Sequence, residues 1–430
     1  MSGAPPLAGS AERLLAPRLE QRILPGLERM ARALEALGHP ERAFPALLVL
    51  GTNGKGSTAA LLDAVVRAHG TSVGLYTSPH LIRVEERIRV NGAAISPGRL
   101  LELVRELERF RELSYFETLT VAAFLEFAAR GVSLAVLEAG LGGRWDATNA
   151  TRPLAALLTN VGTDHQGWLG PTRGHIAAEK AAALRGHEAI VGAWDDEVEP
   201  VIRREADPQT PISLASQWAE VTIDGRSPAP GAFAQTRSGV QAVTFRLGGT
   251  AGATTLPLVG RHQIDNLRLA LAGAAALASH GVIGPLAAEA VARGVAAVSW
   301  PGRLQRLAWQ GGELLLDGAH NREAAVALAA ALDELGLSGR VDLLFSCLQD
   351  KPLAEMAALL RPRARTVHVA PLDSPRATPA DLIAGAFPGC VVHADVTAAL
   401  AALATERTTL VTGSLRLIGA VLAHTGRADA

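Results

Sequence analysis

Two cysteines in 430 residues, Cys347 and Cys390, form no C-x-x-C pair. They cannot staple a scaffold, and two ordinary thiols suit a reducing compartment. Charge of one sign is missing too: 41 Lys and Arg balance 42 Asp and Glu, for a net charge of −1. The bulk therefore exerts no general pull toward nucleic acid or an anionic membrane surface. Long apolar runs are absent. The most apolar, LALAGAAALAS (269–279), is too short and too alanine-rich to span a bilayer. The first residues carry early prolines, no basic stretch, and charges at Glu12 and Arg13, unlike a secretory signal. No 20–50-residue repeat stands out. No convincing Cys/His or Ser/His/Asp arrangement points to a covalent nucleophile. A cytoplasmic protein is expected, with no nucleic acid and no membrane as partner.

What is present is a globular composition, 48% hydrophobic against 19% charged, in a chain too long for one ordinary core. Short β-branched or leucine-rich runs alternate with alanine-rich segments, the pattern of a parallel sheet covered by helices. Strands are expected at 46–50, 71–77, 133–138, 155–160 and 188–192, with a helix after the first, closed by Gly70. From about 209 to 258, Thr, Gly and Pro increase and short alternating pieces suggest an antiparallel patch. A long helix is expected from Asn266 to His280. Pro301-Gly302 cannot continue a helix, so AVSWPGRLQR (297–306) reads as a boundary. The α/β rhythm then restarts, with strands at 313–317, 340–346, 366–371, 391–395 and 408–414. Two units follow, 1–297 and a smaller 298–430. The fold class is α/β: an N-terminal P-loop-type domain with a mainly parallel sheet and a small antiparallel patch, then a Rossmann-like C-terminal domain.

The segment LLVLGTNGKGST (47–58) has the setting of a phosphate loop but not the usual G-x-x-x-x-G-K-[ST] spelling. Gly54-Lys55 is followed by Gly56, so the hydroxyl of Ser57 arrives one residue late, and Val49 stands where the leading glycine belongs. The loop still joins an apolar strand to a helix N-terminus, whose free N–H groups and dipole favour anions. With the hydroxyl late, magnesium needs ligands from elsewhere. Glu138 closes one apolar strand, Asp164 and His165 follow the next, and Ser78 follows the second. Each alone is ordinary. Three polar groups at the carboxyl ends of neighbouring strands lie where open α/β sheets bind ligands.

GTNGKGS, TSPHL, EAGLGGRWDATN, TNVGTDHQ with LGPT and EKA, PGR and LDGAHN occur in this order. Together, from roughly residue 20 to 415, they resemble the folylpolyglutamate synthase family, in bacteria usually bifunctional as dihydrofolate synthase, a branch of the Mur ligase superfamily. In that family the late hydroxyl is the normal spelling. The resemblance implies ATP-driven addition of L-glutamate to folates, and to dihydropteroate in bifunctional members, by a monomer using ATP and two Mg²⁺ ions. It implies ATP binding by Asn53, Gly54, Lys55, Gly56, Ser57, Asn266, Arg303, Asp317 and His320. It further implies metal ligation by Ser78, Glu138 and His165. Lys55, His165, Arg303 and Lys180, the last as a carbamate, would be catalytic. His320 and Ser414 would meet glutamate; Leu27, Glu28, Arg29, Ser114, Phe116, Trp145, Asp146 and Ala147 would line the folate or dihydropteroate pocket.

Blander roles stand beside these: Asn266, Asp317 and Ser414 could each be a helix cap, and Lys180 an ordinary solvated lysine. Arg322 stands where the family usually has proline, and Pro352 where a second acid is common. Another Mur-type ligase with a muramyl acceptor is the nearer alternative, and a P-loop switch or kinase the more distant one.

Overall fold

The computed structural model describes residues 10–18, 25–223 and 240–426. Parts of the N-terminal stretch and residues 224–239 of the expected antiparallel patch lie outside them. The strands are β1 (Ala46–Leu50), β2 (Val73–Tyr76), β3 (Ile88–Val90), β4 (Ala93–Ala94), β5 (Leu134–Glu138), β6 (Ala155–Leu158), β7 (Glu188–Val191) and β8 (Ile212–Leu214). They form one sheet in the order β4-β3-β2-β5-β1-β6-β7-β8. All pairings from β2 to β8 are parallel, and β3 and β4 add an antiparallel edge.

The runs ALLVL, LAVLE and AALL are buried at every position, because helices cover both faces. Alternation divides them between two cores. Leu48 and Leu50 pack with Phe124 and Phe127 on one face; Leu47 and Val49 pack with Leu267 and Leu271 on the other.

A second sheet, β11-β10-β9, is antiparallel and consists of β9 (Ala219–Ile223), β10 (Gln241–Leu247) and β11 (Thr250–Leu256). The expected antiparallel patch is therefore narrower than 209–258, since β8 joins the main sheet in parallel. The long helix spans Arg261–Ser279, beginning five residues before Asn266. Asn266 lies inside it and is not a cap.

The third sheet runs β12-β13-β17-β14-β15-β16, from β12 (Gln305–Trp309), β13 (Gly312–Leu316), β14 (Val341–Phe345), β15 (Ala364–Val369), β16 (Val391–Val392) and β17 (Thr408–Thr412). All neighbours are parallel except β12, which pairs antiparallel with β13. β12 occupies the stretch that reads as a boundary. Gln310 and Gly311, both at positive φ, close the two-residue hairpin that creates it.

Candidate active site

β1 lies between β5 and β6, so connections leave its carboxyl end in both directions and a crevice opens there. The loop 51–54 crosses this crevice into the helix Lys55–Ala68. Gly54 takes φ +85°, and a Cβ there would collide with the Asn266 side chain; only glycine lets the helix bearing Asn266 approach so closely. The loop is pinned to the segment after β6. Asn53 N donates to Asn160 Oδ1 (3.1 Å), and Thr159 Oγ1 donates to Asn53 O (2.7 Å).

Lys55 Nζ folds back to Gly51 O and Thr52 O, both at 3.1 Å. Lys180 Nζ reaches the same Gly51 O at 2.8 Å from behind the loop. The amino groups of two lysines thus share one carbonyl. Lys180 is buried, and desolvation, with Lys55 nearby, pushes its pKa down to about 7. It is not a solvated helix lysine. Ser57 Oγ and Thr58 Oγ1, one turn into the helix, are buried with no hydrogen-bond partner.

Glu138 pairs in register with Val49, which sets its carboxylate beside the phosphate-type loop. Oε2 accepts from Ser78 N at 2.9 Å. Burial raises its pKa, opposed by the charge of Lys55 and the Ser78 N–H. His165, at φ +59°, opens the short helix Gln166–Leu169. Desolvation by burial holds its imidazole near pKa 4, Asp164 opposing and Lys351 reinforcing, so the ring is neutral at pH 7.

Asp164, which the sequence offered only as one of several metal-side candidates, is a hub of contacts across the cleft. Oδ1 lies 2.8 Å from Lys351 Nζ, and Oδ2 accepts from Asn321 Nδ2 at 3.0 Å. His320 Nε2 stands 3.6 Å from Oδ2. Burial alone would raise the Asp164 pKa, but His320, His165 and Lys351 hold it far below the usual carboxylate range. Asn321 also exchanges hydrogen bonds with Asn53, at 2.9 and 3.3 Å. Lys351 and Asn321 come from the third-sheet half of the chain, so these bonds cross the cleft. QDKP held the only signal for Lys351; Pro352 opens the helix Leu353–Leu360.

Asp317 Oδ2 accepts from Leu304 N and Oδ1 from Ala319 N, both at 3.0 Å. The cap of the following helix is instead Asn321. Burial lowers the pKa of Arg303 and raises that of Asp317, and each opposes the other's shift. Ser414 does cap a helix, accepting from Arg416 N at 3.2 Å, and it also lines the cleft.

On the opposite wall, Ser114 and Glu117 form a capping box, and Glu117 Oε1 holds Arg29 at 2.9 Å. Asp146 is buried and accepts from Leu141 N (2.8 Å), Thr148 N (3.0 Å) and Thr148 Oγ1 (2.6 Å). Phe116 lies 5.7 Å from the Tyr76 ring, and Trp145 is 50% exposed.

A single cleft of about 1380 Å³ is lined by Asn53, Gly54, Lys55, Gly56, Ser57, Ser78 and Glu138. His165, Asn266, Arg303, Asp317, His320 and Ser414 also line it, together with Ser114, Phe116, Trp145, Asp146 and Ala147. Lys180 lies just behind the loop. Leu27, Glu28 and Arg29 do not reach the lining; from their segment only Pro25 does.

Model descriptions of two families match the chain: the Mur ligase middle domain at residues 49–274 and the Mur ligase glutamate ligase domain at 302–415. The dihydrofolate synthase/folylpolyglutamate synthase of Bacillus subtilis is 35% identical over 373 residues, 84% of each chain. This chain is a Mur ligase of the folylpolyglutamate synthase/dihydrofolate synthase family. The Mycobacterium tuberculosis folylpolyglutamate synthase complexed with ADP superposes with a TM-score of 0.85 at 32% identity, covering 97% of both chains. An Escherichia coli member complexed with DHPP and ADP gives 0.81 at 28% identity, covering 99% of this chain and 100% of that one. A bifunctional member with Mn, AMPPNP and L-glutamate bound gives 0.81 at 28%, with the same coverage. Among the described residues no helix is long and apolar enough to cross a membrane.

Proposed function

We infer that this chain joins L-glutamate to a folate-type acceptor at the expense of ATP. The observation that carries the reading is convergence. Lys55, Ser78, Glu138, His165, Asn266, Arg303, His320 and Ser414 are scattered over 360 residues of sequence, yet they line one cleft. A nucleotide switch has no use for such an assembly, and the relatives named above carry folate names and not muramyl ones. We propose that the chain divides at about 297/298, with the ATP-binding unit and folate elements before it and the glutamate-ligase unit after it. The separate sheets and the gap between the two matched domains support this division.

The acceptor carboxylate attacks the γ-phosphorus of ATP, expelling ADP and leaving an acyl phosphate. The α-amine of glutamate then adds to that carbonyl; the tetrahedral intermediate collapses to the amide, releasing phosphate and a proton. The protein's part is positioning and charge neutralisation. Lys55 leaves Gly51 O for the phosphates, and the N–H groups of Gly54 to Ser57 cradle them. Arg303 adds positive charge from across the cleft. Asn266 meets the adenine side, Asp317 and His320 the ribose or phosphates, and His320 and Ser414 the incoming glutamate. Phe116, Trp145 and Ala147 form the pterin wall, shaped by Ser114 and Asp146. Leu27, Glu28 and Arg29 support that wall from behind.

The residues fit two divalent ions. Glu138 is a buried carboxylate with one backbone N–H on it, and Ser57 Oγ is a buried oxygen without a partner. Among the described residues no three His, Cys, Asp or Glu side chains form a cage of their own, as suits an ion that takes few protein ligands and completes its shell with phosphate and water. Ser78, Glu138 and His165 would hold Mg²⁺, which when bound neutralises phosphate charge. Lys180, whose amine burial holds at a pKa of about 7, is suited to capture CO₂ as a carbamate and so to turn a second cation at Gly51 O into an anion. We propose further that the chain acts as a cytoplasmic monomer.

The test is ADP release with dihydropteroate and tetrahydrofolate supplied separately, each with and without glutamate. Release that requires both acceptor and glutamate is expected with tetrahydrofolate, and with dihydropteroate if both activities reside here. Release indifferent to glutamate would overturn the assignment.

A further inference from the structure

Glu323, in the first turn of the helix Arg322–Glu334, has a carboxylate used on one side only. Oε1 accepts from Thr163 N (2.9 Å) and Thr163 Oγ1 (2.7 Å), across the cleft. Oε2 is shut off from water and has no partner. A buried carboxylate oxygen left unpaired is costly, and the cost is removed when a ligand brings a donor.

The surroundings say what kind of ligand. A Cβ on Gly162 would lie 3.1 Å from the Glu323 carboxyl carbon, and one on Gly192 would lie 2.6 Å from Thr159 O and 3.4 Å from Leu269. Gly162 follows β6, which adjoins β1, and Gly192 follows β7, the next strand out. Past Glu323 the cleft is lined by Val161, Gly192, Leu269, Ala324, Ala327 and Leu328, all small or apolar. Asn266, one turn before Leu269 on the same helix, touches Gly54 of the phosphate loop. A mostly apolar lining in the same cleft as a phosphate cradle fits a purine ring. Glu323 lines the same cleft, and the oxygens of an ionised carboxylate can only accept.

We propose that Glu323 selects the purine, its free oxygen accepting from the 6-amino group of adenine and repelling the 6-carbonyl oxygen of hypoxanthine or guanine. This rests on the nucleotide-binding reading above but assigns a residue that no motif singled out. Reversal of the hydrogen-bond sense tests it. Glu323→Gln keeps the shape and an oxygen for Thr163, but presents N–H donors to the ring.

Calorimetric binding of ADP and IDP to the full chain needs no acceptor substrate and no turnover. It therefore stands apart from the ligase test, where loss of glutamate dependence counts against the reaction and not against this site. The wild-type chain should bind ADP about tenfold more tightly than IDP, and E323Q should cut that ratio by about tenfold or more. Thr163→Val, which loosens the bond across the cleft but keeps the carboxylate, should weaken both nucleotides alike and leave the ratio unchanged.

The proposal is overturned if the wild-type chain binds ADP and IDP equally, or if E323Q leaves the ratio within about twofold of wild type. It is overturned equally if T163V shifts the ratio as much as E323Q does. A fourth contrary result is an E323Q that loses its preference for ADP over 2′-deoxy-ADP with the ADP to IDP ratio intact, since the oxygen would then serve the ribose.

Discussion

The two ends of the cleft are built on opposite principles. At the phosphate end, polar groups are buried and left unfinished: Ser57 Oγ has no partner, Glu138 Oε2 has one backbone N–H, and two lysines crowd Gly51 O. At the end proposed to meet the pterin, Asp146 and its neighbours are buried and paired. Asp146 accepts three hydrogen bonds within its own loop, and Ser114 and Glu117 close a capping box whose carboxylate also meets Arg29. Unfinished groups cost stability and are tolerated where a ligand completes them. Finished groups fix the shape of a wall and leave recognition to exposed rings. Activity and stability should therefore separate at the first end and travel together at the second.

The largest expected effect tests the first half of that contrast. Lys55→Ala and Glu138→Gln should each lower ADP release by about 10³-fold or more, as loss of charge stabilisation at a reacting phosphate does. Thermal unfolding should barely move, and E138Q should be no less stable than wild type because it removes a poorly compensated buried charge. Wild-type turnover in either variant would break the site assignment.

Lys180 comes next and has a pH signature. Its folded pKa of about 7 lies below the unfolded value of 10.5, so between these values the unfolded chain holds the extra proton and stability rises with pH. The cost of burying the charged amine is fully present below about pH 7. In CO₂-free buffer, Lys180→Met should therefore gain stability at pH 6, on the order of a few kcal/mol, and lose that advantage by pH 10. With ¹³C-bicarbonate present, the wild-type chain should show a carbamate carbon resonance that K180M lacks.

How much of this was legible follows from the same contrast. β1, β5 and β6 announce themselves because strands buried on both faces read as unbroken apolar runs. Glu138 could be placed because such a run ends on it. The third sheet's edge strand β12 hid because its signal is a two-residue turn, Gln310-Gly311, beside a Pro-Gly that reads as a break. Asp164, Asn321 and Lys351 sit in or beside the motifs, but their meaning lies in bonds across the cleft, spanning 157 and 187 residues, which no local pattern encodes. Asn266 could not be told from a cap until the helix was seen to begin at Arg261. Leu27, Glu28 and Arg29 carry a motif whose spelling does not say which way its side chains face.

The pterin end supplies the smaller effects. Asp146→Ala leaves Leu141 N and Thr148 N without their acceptor inside a buried loop, so it should cost about 2–4 kcal/mol in denaturant unfolding. The acceptor KM should rise with it, because the loop carries Trp145. Trp145→Ala is the sharper probe. Half exposed and bearing no hydrogen bond of the loop, Trp145 should be removable with little change in unfolding temperature. If its ring stacks on the pterin, the KM for dihydropteroate should rise about three- to tenfold, the worth of one aromatic contact, with kcat and the KM for ATP unchanged. An unfolding temperature that drops as far in W145A as in D146A would show that the ring supports the loop as Asp146 does, and the division between finished wall and free ring would fail.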